Sequence, residues 1–62
     1  MILVLQDAST SNVIGEITDA TSVPRIKSTV EYNATNYLVI KRISPTLDRD
    51  GVNVIRLRVR EV

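Results

Sequence analysis

The run Ile55-Arg56-Leu57-Arg58-Val59-Arg60 changes from an aliphatic to a guanidinium side chain at every step. An extended strand honours a period of two, because successive Cβ atoms point to opposite faces. Ile55, Leu57 and Val59 then share one side, and Arg56, Arg58 and Arg60 the other. On a helix the same arginines would spread around the circumference and leave no continuous apolar stripe. The run therefore belongs to a sheet with one buried and one wet face. With its flanks it reads as a strand from Val52 to Val62.

The rest of the chain consists of short extended runs separated by turn chemistry. Met1 to Asp7 is an apolar strand that ends in Ala8-Ser9-Thr10-Ser11-Asn12, a cluster of small polar residues that favours a reversal. Val13 to Thr18 resumes with Val13, Ile14 and Ile17 around Gly15, where a glycine permits a bulge or a close approach. Asp19 to Ser28 has no helical period and holds Pro24, so it reads as a crossing loop. Val30-Glu31-Tyr32, the turn Asn33-Ala34-Thr35-Asn36 and the apolar run Tyr37 to Ile43 form a second hairpin. Pro45 is expected to end that strand or mark an edge, and Leu47-Asp48-Arg49-Asp50-Gly51 to make a tight reversal into the last strand. These elements predict one all-β domain over residues 1–62, a small five-stranded bent sheet or barrel built from hairpins.

Such a chain can bury only about 60% of its unfolded surface. Its apolar set comprises 21 Val, Ile and Leu residues, one Met and two Tyr, with no Phe or Trp, so the core is expected to be aliphatic. The sequence has no Cys and no His, which removes a disulfide or a common metal site as a staple and leaves self-association as a supplement to the core. The net charge of +1 gives no global field for nucleic acid or an anionic membrane, so any electrostatic role is local. Met1 to Leu5 is apolar but lacks a basic start and is too short for a secretion signal or a membrane span, and the expectation is a soluble cytoplasmic protein with no membrane partner.

Val23-Pro24-Arg25-Ile26, Val30-Glu31-Tyr32, Tyr37-Leu38-Val39 and the closing Val54 to Val62 together resemble the small Src-homology-3-type barrels of bacteria and their phages. The resemblance implies a barrel of that type, in which a proline is followed by a turn glycine, a strand, a short turn and a Tyr-x-Val strand. Lys27 and Ser28 stand here where the turn glycine is expected.

Acid–base and nucleophilic catalysis rely mostly on His, Cys, or Ser and Lys beside a base. Without His or Cys the remaining close carboxylate pair is Asp48 with Asp50, on a turn expected to be exposed, so no enzyme, cofactor or small-molecule substrate is expected. Asp48-Arg49-Asp50-Gly51 has the middle of a calcium-loop pattern, but Thr46 and Leu57 occupy its end positions and a simple turn accounts for it better.

Arg56, Arg58 and Arg60 recur about 7 Å apart along one strand face, a row that Lys41 or Arg42 would extend from a neighbouring strand. Guanidinium groups in a row fit phosphates bidentately. The ordinary role of such a row is a solvated face paired with Glu31, Glu61 or other carboxylates. Tyr32 and Tyr37 flank the Asn33–Asn36 turn, placed for packing across the hairpin or for contact with a protein. The preferred expectation is a non-enzymatic interaction or structural module that binds a protein or itself through its long C-terminal strand. The alternative is a weak nucleic-acid-binding barrel that uses the arginine row.

Overall fold

The computed structural model describes all 62 residues, Met1–Val62. Five strands form in chain order: β1 (Ile2–Asp7), β2 (Val13–Ile17), β3 (Thr29–Tyr32), β4 (Thr35–Arg49) and β5 (Val52–Glu61). They make one sheet in the order β2-β1-β5-β4-β3, curled into a half-barrel. The hairpins β1–β2, β3–β4 and β4–β5 are antiparallel, as their turn residues imply, whereas β1 and β5 run parallel, with Ile2 opposite Val54 and Asp7 opposite Val59.

The parallel pair changes the place of the last strand. Its length suggested a free edge, but β5 is the centre of the sheet, flanked by β1 from Val54 to Val59 and by β4 along its whole length. A strand buried between two others is also the one whose inward residues are best shielded, and the core follows from that. Leu3 and Leu5 of β1, Val39 of β4, and Ile55, Leu57 and Val59 of β5 form one buried cluster on the concave face. Each such side chain contributes roughly 1.5–3 kcal/mol when removed from water. Ala20 and Val23 pack against the cluster from the crossing segment, which has no regular structure, Ile14, Val30 and Tyr32 do so from the outer strands, and Tyr37 does so from β4.

The two edge strands, β2 and β3, are not hydrogen-bonded to one another, and the seam between them is covered by a side chain. The Tyr32 ring lies so close to Gly15 that a Cβ there would overlap its hydroxyl oxygen. Gly15 lies opposite Leu5, so the tyrosine caps the inward face where the sheet stays open.

Pro45 does not end β4. The strand continues to Arg49, and the register slips between Ile43, opposite Arg56, and Leu47, opposite Val54. A bulge accommodates the proline because a residue lacking an N–H needs no ladder partner there. The reversals are also tighter than the polar clusters around them suggest. Asn33 and Ala34 alone turn β3 into β4, with φ of 53° and 62°, and Asp50 and Gly51 alone turn β4 into β5, with φ of 53° and 83°. Positive φ at both central residues is the requirement of the primed two-residue hairpin turn.

Candidate functional site

The convex face is built from the residues that alternate with the core. On β5 these are Val54, Arg56, Arg58 and Arg60, and the register sets Leu47, Ile43, Lys41 and Leu38 of β4 opposite them in turn. On the β1 side Ile2, Val4 and Gln6 lie opposite Val54, Arg56 and Arg58. This face divides into an apolar end and a basic end.

At the apolar end Val4 and Val54 are buried although they belong to the wet side of the sheet, a feature that strand alternation alone does not predict. Arg49, near the tip of the β4–β5 hairpin, reaches Glu16 on β2 and donates from Nη1 to Oε1 at 3.1 Å and from Nη2 to Oε2 at 3.2 Å. Since β5 and β1 lie between those two strands, this forked pair ties the hairpin across the convex face at the level of Val4 and Val54. The hydrogen bond from Arg49 holds the Glu16 carboxyl below its ordinary value of 4.5, against an opposing effect of desolvation and with a lesser contribution from the guanidinium charge. Residues 33 positions apart make this pair, and no local pattern in the sequence announces it.

At the basic end the three arginines differ. Arg56 is half-buried and occupied: its Nη2 donates to the carbonyls of Pro45 at 3.2 Å and Ser44 at 3.5 Å, while its Nε lies buried without an acceptor. It secures the β4 bulge. Arg58 is half-buried and Arg60 exposed, and neither pairs with Glu31, Glu61 or any other carboxylate; Arg49–Glu16 is the ion pair of the molecule.

Of the two residues named as an extension of the row, Lys41 joins it and Arg42 does not. Val39 lies opposite Val59, and the next ladder partner of Arg58 is Lys41 rather than Ile40, because Ile40 is the extra residue of a bulge. Arg42 is set opposite Leu57 and donates to Thr46 Oγ1 at 3.1 Å. Lys41 and Arg58 are thus direct cross-strand neighbours, with Cβ atoms expected about 4.5–5.5 Å apart, a like-charge arrangement that opposes folding.

Tyr32 and Tyr37 stand on the other face. Tyr32 is opposite Thr35 and Tyr37 opposite Val30, so they are diagonal neighbours across the hairpin, and both pack on the core. They add nothing to the arginine face. Asp48 lies opposite Asn53 and Asp50 forms the turn, so the acidic tetrapeptide is the hairpin tip. No cleft opens in the surface, no group of three or more His, Cys, Asp or Glu is placed to hold a metal, and no helix is long and apolar enough to cross a membrane. Comparison with protein-family models, curated proteins and solved structures finds no match to this chain.

Proposed function

We propose that this chain is a non-enzymatic interaction module that associates with a second copy of itself by adding strand to strand at the β2 edge. The observation that carries the reading is that β2, from Val13 to Ile17, pairs on one side only and carries no lysine or proline. Natural edges are blunted by lysine, proline, bulges or shortness. β3 is four residues long, and the unpaired stretch of β4 beyond it carries Lys41, Arg42, Pro45 and two register slips. β2 is five residues long and carries one bulge, at Ile14, but it has no lysine or proline, its one charge, Glu16, is held by Arg49, and its first residue, Val13, is 59% exposed. A core of eight buried residues in 62 also gives association something to add, because further burial raises the stability of a domain this small.

Self-association through the C-terminal strand, the expectation from sequence, gives way here to the β2 edge because β5 already has a partner on each side. Sedimentation velocity over a concentration series tests the proposal. A dimer that grows with concentration is expected, lost on Val13→Lys and retained on Leu47→Lys, a comparably exposed change on the hairpin. A protein that stays monomeric at millimolar concentration, or a dimer lost only with Leu47→Lys, would refute it.

A further inference from the structure

We infer that Lys41, Arg58 and Arg60 form a binding site for the phosphodiester backbone of a nucleic acid, on a face separate from the β2 edge. The site depends on the bulge at Ile40. In an unbroken ladder Ile40 would lie opposite Arg58 and Lys41 opposite Leu57, on the core side of the strand. The one extra residue moves Lys41 beside Arg58, and re-aiming a side chain is a recurrent use of β-bulges. The result is a cross-strand pair of cations with Arg60 one step further along the same face. No carboxylate lies within ion-pairing distance of any of them. Like charges set directly opposite are unfavourable in the free protein, and a bound anion removes that penalty.

The shape and surroundings of the cluster favour a phosphate polymer over an acidic protein. The cations lie on the convex side of the half-barrel, with no cleft around them, so an extended chain can pass without steric obstruction. Arg58 and Arg60 recur at the strand repeat of about 7 Å, which gives a regular row of donors, and their forked guanidinium groups match phosphate oxygens. A protein interface of comparable specificity would use an aromatic anchor. Both tyrosines pack on the opposite face, and the neighbours of the cations here are Gln6 and Leu38. Without aromatic platforms for bases the site reads the backbone alone, which predicts binding that is weak, indifferent to sequence and strongly dependent on salt.

The test is fluorescence anisotropy of a labelled mixed-sequence single-stranded DNA titrated with the full chain across a salt series. Three phosphate contacts predict a slope of log affinity against log salt of about −2, a loss of about twentyfold between about 50 and 200 mM. Lys41→Ala, Arg58→Ala and Arg60→Ala should each weaken binding for every sequence and reduce the slope by about 0.7. Arg60 is exposed, so its variant preserves the fold even if Arg58→Ala disturbs it. Arg42→Ala removes the same charge from the other side of β4 and should leave binding unchanged. No anisotropy change at low salt would overturn the inference, as would an equal loss with Arg42→Ala. Polyglutamate of matched charge should displace the DNA only at higher concentration; displacement at equal concentration would reassign the face to an acidic polypeptide. None of these outcomes depends on whether the β2 edge forms a dimer.

Discussion

Leu57 and Arg58 are chain neighbours positioned by the same ladder between β1 and β4, yet the leucine has no exposed surface while the arginine carries an unpaired charge beside Lys41. The concave face of β5 is satisfied within the molecule. Ile55, Leu57 and Val59 close on Leu3, Leu5 and Val39, and no polar side chain enters the core. The convex face is satisfied in part: Val54 is covered, Arg56 holds the bulge carbonyls, and Arg58 and Arg60 have no partner. Stability and recognition are thus separated by the period of the strand. A change at an odd-numbered position from Ile55 to Val59 should alter folding, and a change at Arg58 or Arg60 should alter binding.

The largest effect expected is from Leu57→Ala, which leaves a cavity at the centre of the core. Substitutions of this kind cost about 2–5 kcal/mol, enough to unfold most molecules of a marginal domain, and chemical denaturation would measure it. Arg58→Ala in the same assay should stay within about 0.5 kcal/mol of the parent. If the two variants were equally destabilised, the division between faces would be wrong.

Gly15→Ala ranks next. The new methyl group meets the Tyr32 ring that covers the seam, and overpacking of this kind costs about 1–3 kcal/mol. Pairing it with Tyr32→Val removes the obstruction, so the double variant should lose less than the sum of the single losses. Additive losses would show that the ring does not rest on the glycine.

A smaller gain is expected from Lys27→Gly. Lys27 adopts a φ of 74°, in the left-handed region that costs a side-chain-bearing residue about 1 kcal/mol, and its N–H donates to Val39 O at 2.8 Å, a bond that glycine retains. The substitution should raise the melting temperature by a few degrees at most.

The smallest effect concerns the tie on the convex side. Glu16 has its carboxyl lowered by Arg49, so the pair stabilises the fold above the ordinary glutamate value of 4.5, and that contribution disappears as pH falls through the lowered value. Arg49→Gln should flatten the acid limb of a stability profile between those two values by lowering stability slightly at neutral pH and leaving it unchanged below the lowered value, a small effect because the pair is solvent-accessible.

The alternation of Ile55 to Arg60 makes the core face of β5 and its three arginines legible in the sequence, and turn residues locate every hairpin. Strand order was not legible. The parallel pairing of β1 with β5 joins the two ends of the chain, and local patterns carry no information about contacts that distant. The continuation of β4 past Pro45 and the choice of Lys41 over Arg42 both depend on bulges, which add residues without changing composition. Arg58 and Arg60 could be named as surface cations from their period, but their lack of carboxylate partners depends on where Glu31 and Glu61 fall in the sheet. The left-handed backbone of Lys27, with φ of 74°, is likewise not legible, because a lysine gives no local signal for it.

Amide hydrogen exchange followed by NMR at low and high protein concentration tests the account most directly, because it reports the centre of the sheet and its free edge together. Leu57 and Val59 amides are expected to exchange slowest at both concentrations. Within Val13 to Ile17, the amides directed away from β1 should exchange quickly when dilute and gain protection when concentrated. Fast exchange at Leu57 and Val59, or β2 amides indifferent to concentration while those of β5 slow, would contradict it.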